Sequence, residues 1–99
     1  MEIEFLDPSL AFVETERAAA ETRLPIEVIN SLRNKLVVLR AATDERTLRN
    51  WRSLHYEKLQ GRPNDQRSIR INKQWRLVFT IDTTKKPNKI SVLRVEDYH

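Results

Sequence analysis

Cysteine is absent from the 99 residues. Disulfides and cysteine-ligated metal or iron–sulfur centres are therefore excluded. Glycine occurs once, at Gly61, and proline four times. No repeat, low-complexity stretch or linker interrupts the chain. No apolar run approaches the roughly 18 residues that a membrane span needs. The opening Met1-Glu2-Ile3-Glu4-Phe5 has neither the basic nor the apolar region of a secretory signal, so a cytoplasmic protein is expected, with no membrane association. His55 and His99 are the two histidines. Without a helical His–His spacing they make no convincing ligand set, and no metal or cofactor is expected.

What is present is charge, unevenly distributed. The net charge is +4. Residues 1–27 hold seven acids against two bases, whereas residues 49–76 hold eight bases against two acids. A polyanion is the natural partner for the second region. At 39% apolar and 32% charged residues the composition is that of a globular protein. The length suits one domain over 1–99 with a modest core.

Helical signals fill the first half and strand signals the second, which predicts an α+β fold with a mostly antiparallel sheet. Residues 2–6 alternate and predict an edge strand. Asp7-Pro8 reads as an N-cap followed by proline at the first helical position, with a helix expected to about Ala20. Pro25 opens a stronger helix with the stripe Ile29, Leu32, Leu36 and Leu39. Thr43-Asp44-Glu45 opens a third, short helix, with Leu48 and Trp51 expected in the core. Strands are expected over 68–72, 75–81 and 90–95, with a polar turn from Asp82 to Lys89.

Side-chain parity sets the hairpin between the first two of these strands. A three-residue loop, Asn72-Lys73-Gln74, pairs Ile71 with Trp75, Arg70 with Arg76 and Ile69 with Leu77, which places the apolar residues on one face. Arg70 and Arg76 then oppose each other on the polar face. Like charges directly opposite are mildly destabilising, and an anion, carboxylate or phosphate, would relieve them.

The chain closes on Asp97-Tyr98-His99, an acceptor, a phenol and an imidazole in succession. The free α-carboxylate favours the imidazolium of His99, which keeps it competent to move protons near neutral pH. Metal-free RNA cleavage needs such groups. The 2′-hydroxyl loses a proton and attacks phosphorus, the 5′-oxygen gains a proton as it leaves, and cations stabilise the phosphorane. Arg70, Arg76, Lys58 and Arg62 are candidate cations. His99 is the candidate acid, and Asp97, Tyr98 or Glu57 a base or orienting group.

Four segments together carry a resemblance: Glu57-Lys58-Leu59-Gln60-Gly61, Ser68-Ile69-Arg70-Ile71-Asn72, Gln74-Trp75-Arg76-Leu77-Val78-Phe79 and Asp97-Tyr98-His99. The chain resembles, over nearly its whole length, the HigB-type killer family of RelE-like toxins. The resemblance implies a RelE-like fold, with two to three N-terminal helices packed on a twisted, mostly antiparallel sheet. It implies an endoribonuclease that cleaves mRNA on the ribosome and inhibits translation. It implies a HigA-like helix-turn-helix antitoxin, with operator DNA bound only through the toxin–antitoxin complex. On the residues, it implies that Arg76 contacts phosphate and that Asp97, Tyr98 and His99 form the active site. Arg70, Lys58, Arg62, Lys73 and His55 are the further RNA-binding candidates. The chain departs from the family where lysine usually precedes the glycine, here Gln60, and in the loop Arg62 to Arg67. Glu57 stands where some members have histidine three residues before that lysine; His55 and Lys58 repeat the spacing two residues earlier. A non-catalytic RNA- or ribosome-binding module, or a DNA-binding accessory protein, remain the alternatives.

Overall fold

The computed structural model describes residues 1–61 and 65–97. Strand β1 (Glu2–Phe5) leads into a 3-10 helix (Pro8–Phe12), then α1 (Ala18–Thr22), α2 (Ile26–Ala41) and α3 (Glu45–Asn50). A 3-10 turn (Arg52–Leu54) leads on to β2 (Glu57–Lys58), β3 (Arg67–Arg70), β4 (Trp75–Asp82) and β5 (Lys89–Asp97). The three α-helices and the five-stranded sheet give an α+β architecture. Among the described residues no helix is long and apolar enough to cross a membrane.

The helix starts have local causes. The Asp7 side chain accepts from the Ser9 backbone N–H, with Pro8 at the first helical position. Asp44 accepts in the same way from the Thr47 N–H at the start of α3. The helix expected from Asp7 to Ala20 is corrected: it begins where predicted but is 3-10 and stops at Phe12. The turn that follows is held from outside, because Arg33 of α2 donates to the Val13 carbonyl at 2.7 Å and the Thr15 carbonyl at 2.9 Å. Only a short α1 forms afterwards, ended by Arg23 in the left-handed region at φ 59°.

The sheet order is β1-β5-β4-β3-β2, antiparallel throughout except that β1 runs parallel to β5. The α2 stripe Ile29, Leu32, Leu36 and Leu39 is buried against a core that includes Ile69, Leu77, Phe79, Ile90 and Val92. The ammonium of Met1 donates to the Leu39, Arg40 and Ala42 carbonyls at 3.3, 2.9 and 2.6 Å. A cation thus serves carbonyls that the end of α2 leaves without helical donors. Leu48 is core as expected, but Trp51 is 45% exposed. Helix α3 ends at Asn50, and the following turn buries Leu54 instead.

Candidate functional site

The β3–β4 hairpin has the register that parity predicts. Ile69 pairs with Leu77 and Arg70 with Arg76, and Ile71 donates to the Trp75 carbonyl at 2.8 Å. The three-residue loop is held by the Asn72 carboxamide, whose oxygen accepts from the Gln74 and Trp75 backbone N–H groups at 2.9 Å each. Ile69, Leu77 and Phe79 face the helices. The opposite face is less polar and less solvated than the sequence suggests. Ser68 and Val78 are buried there, and Arg76 is only 7% exposed.

A buried guanidinium needs its donors satisfied. Arg76 donates from Nε to the Ser68 hydroxyl at 2.8 Å and from Nη2 to the His55 carbonyl, and its Nη2 lies 4.0 Å from a Glu57 carboxylate oxygen. His55 presents that carbonyl from the left-handed region, at φ 47°. A non-glycine residue there is strained backbone that the surrounding contacts must hold in place. The His55 ring meets the second arginine, with Arg70 Nη1 3.2 Å from His55 Nε2. Arginine can only donate, so this contact requires an unprotonated Nε2. Arg70, Arg76, His55 and Glu57 therefore come together.

Strand β5 adds two residues to this face because of a β-bulge. Phe79 pairs with Val92 but Val78 with Arg94, leaving Leu93 without a cross-strand partner. The extra residue reverses the alternation, so Val92 and Val95 both share the core side while Arg94 and Glu96 join Val78 and Arg76 on the other. Arg94 donates to Glu96 at 2.7 Å and to the Gln66 side-chain oxygen at 2.8 Å. Ser68, Gln66, Arg94 and Glu96 did not emerge from the sequence as site residues. Ser68 was legible from its place two residues before Arg70, but a bulge leaves no signature in the residue alternation.

Other candidates fall elsewhere. Lys58 pairs with Arg67 and shares the side of Phe79, whereas its neighbour Glu57 pairs with Ser68 and shares the arginine side. Lys58 instead borders a small cavity of about 210 Å³ with Leu59, Gln60, Gly61, Asp65 and Gln66. Lys73 is exposed in the hairpin loop. Asp97 pairs with Trp75, not Arg76, and accepts from the Gln74 side chain at 3.1 Å. Arg62, Tyr98 and His99 lie outside the described residues.

A separate polar cluster lies at the other end of β3. One oxygen of Glu45 accepts from both the Tyr56 hydroxyl and Arg67 Nε, and Arg67 Nε also reaches the Tyr56 oxygen at 2.8 Å. Burial works to raise the Glu45 carboxyl, but the bonds from Tyr56 and Arg67 prevail and hold it below the usual carboxylate range. Burial, aided by the Glu45 carboxylate, pushes the Tyr56 phenol up to about 12.

The family model for the HigB-like toxin, a RelE-like toxin of type II toxin-antitoxin systems, matches residues 5–99. This chain belongs to the HigB-like toxin family. Among solved structures, a YoeB/ParE toxin from Agrobacterium tumefaciens is similar over all of both chains, with 16% identity and a TM-score of 0.59. A YoeB dimer from Staphylococcus aureus matches over all of this chain and 97% of its own, with 20% identity and a TM-score of 0.50. At such identities these two likenesses establish the RelE-like fold. No curated protein sequence matches significantly. In this HigB-like toxin Arg70 and Arg76 share the outer sheet face with the carboxylates of Glu57 and Glu96. Among the described residues no cluster of His, Cys, Asp or Glu side chains is arranged to hold a metal ion.

Proposed function

We propose that this toxin is a ribosome-dependent mRNA endoribonuclease of the cytoplasm, neutralised by a HigA-like helix-turn-helix antitoxin. Operator DNA is met only through the antitoxin complex, and residues 1–99 act as one domain. The observation that carries the reading is the Arg70–Arg76 pair on the outer sheet face, with Arg76 fixed by Ser68 and the His55 carbonyl. A guanidinium whose direction is set before substrate arrives stabilises developing phosphorane charge without reorganising. Arg76 is assigned that role, and Arg70 with His55 holds the neighbouring phosphate. Lys58, Lys73 and Arg62 bind RNA outside the reacting group.

The chemistry is attack of the 2′-oxygen on the adjacent phosphorus. The 2′-hydroxyl gives up its proton, the P–O5′ bond breaks and the 5′-oxygen takes a proton as it leaves. His99 is assigned as the acid that supplies this second proton. Glu57, whose carboxylate lies 4.0 Å from Arg76, is assigned as the base that accepts the first. Tyr98 and Asp97 orient the histidine.

The test is controlled expression in a bacterial host beside a His99→Ala variant, with 5′ ends mapped on abundant transcripts. New ends inside translated regions are expected with the wild type and not with the variant, together with growth arrest that co-expressed antitoxin relieves. A soluble, folded wild type that produces neither cuts nor arrest would replace this reading with the binding-only module.

A further inference from the structure

We infer that Trp51, with Arg52, forms a stacking subsite for the messenger nucleotide next to the one held at Arg70 and Arg76. The inference rests on the assignment of that arginine face to RNA.

Trp51 projects from the end of α3, 45% exposed, where the sequence pattern had assigned it to the core. With Thr47, Asn50 and Arg52 it lines a shallow, open groove. Arg46, Arg49 and Arg52 follow one another at three-residue spacing and are all exposed. Arg49 is engaged, paired with Glu45 at 3.1 Å and lying over the Tyr56 ring at 6.0 Å. The side chains of Arg46 and Arg52 make no hydrogen bond or ion pair among the described residues. One aromatic ring beside an uncommitted guanidinium and two neutral hydrogen-bonding side chains is a platform for single-stranded nucleic acid: the ring stacks on a base and the cation meets the backbone.

The composition speaks against a protein occupant. Stable protein interfaces bury roughly 1,200–2,000 Å² around an apolar centre. Among the described residues the other exposed large apolar side chains, Leu6, Ile26 and Val37, lie on other segments of the chain.

Position ties the platform to the arginine face. Only the 3-10 turn Arg52–Leu54 separates Trp51 from His55, whose carbonyl accepts from Arg76 and whose ring meets Arg70. Four residue steps at about 2 Å each carry the backbone roughly 8 Å from Trp51 to His55. In this arrangement a strand with its phosphate at the arginines lays a neighbouring base on Trp51.

The test uses 70S ribosomes programmed with a message methylated at the 2′-oxygens, so that it cannot be cut. Trp51 is replaced by a benzophenone-bearing amino acid and the ribosome-bound toxin is irradiated. A crosslink to the message within a nucleotide or two of the cleavage position is expected. Crosslinks confined to ribosomal RNA or ribosomal protein overturn the subsite. So does a toxin that sediments with ribosomes without crosslinking, or one that crosslinks only to antitoxin in the co-expressed complex. A toxin that neither sediments nor crosslinks overturns it as well. Kinetics on a cleavable message give the second readout. Trp51→Ala is expected to raise KM about tenfold with kcat little changed, and Trp51→Phe to restore it, because any aromatic ring stacks. A fall in kcat at constant KM overturns the subsite. If the wild type leaves the cleavable message intact while the benzophenone variant crosslinks to the methylated one, the nuclease assignment fails and the subsite stands.

Discussion

Strand β3 separates two polar clusters of opposite design. At one end Glu45, Tyr56 and Arg67 close on themselves: one carboxylate oxygen receives both donors, and the donors also meet each other. At the other end two arginines and a histidine converge, with the Glu57 carboxylate 4.0 Å from Arg76 and Glu96 opposite Arg76 on the next strand. The closed cluster fastens α3 to the sheet. The open one keeps cationic groups together at the cost of strain at His55 and like-charge opposition across the hairpin. A cluster whose members close on one another is built for stability, whereas one that sets two arginines opposite each other across a hairpin is suited to meet an anion.

The largest expected effect tests the open side. Arg76→Ala removes the preorganised cation, and the rate of message cleavage should drop by about 100-fold or more. Urea denaturation should show a loss of about 1–3 kcal/mol from the unpaired Ser68 and His55 groups. Arg76→Lys should leave most of the rate defect in place, because an ammonium cannot reproduce the fork. Wild-type cleavage by Arg76→Ala would erase the contrast between the clusters.

Next comes the closed side. Glu45→Gln leaves Arg67 without its counter-charge and should cost about 2 kcal/mol of stability. Cleavage per folded molecule should stay close to wild type. A variant that kept its stability but lost cleavage would show that the cluster positions the site.

The same cluster sets a pH signature. Glu45 titrates below its ordinary value in the folded protein, so its contribution is complete above about pH 4.5 and is lost as pH falls through the folded value. Tyr56 is shifted the other way. Its contribution is complete below pH 10 and declines as pH rises from 10.0 toward about 12. In a denaturation series across that alkaline range, the stability difference between wild type and Tyr56→Phe should shrink. A constant difference would mean that the phenol is not held in its neutral form.

The smallest effect belongs to Arg70→Ala. Relief of the cross-strand repulsion should leave stability unchanged or raise it by about 0.5 kcal/mol, while KM rises several-fold. A clear loss of stability would show that Arg70 is structural.

Much of this was legible from the residues. The α2 stripe, the caps at Asp7 and Asp44, and the 72–74 loop with its Arg70–Arg76 register all follow from local periodicity and capping chemistry. What was not legible depends on partners distant in the chain. The 8–20 helix breaks because Arg33 claims carbonyls about twenty residues earlier. Trp51 lies outside the core because α3 ends at Asn50, and the turn after it buries Leu54 instead. Arg76 is buried because the backbone at His55 comes over to meet it, a contact that no alternation pattern encodes.

Leu93 acts as a frameshift in the spatial code of β5. Before it the residues the core selects lie at Ile90 and Val92; after it they resume at Val95, and Arg94 and Glu96 are released to the other face. The two halves of the strand are thereby uncoupled. Substitutions at 94 and 96 can retune the charge around the arginines without altering a single buried apolar residue. Moving the frameshift by one position would exchange which residues the core and the site receive, giving the lineage a way to change the chemistry of that face without designing a new core.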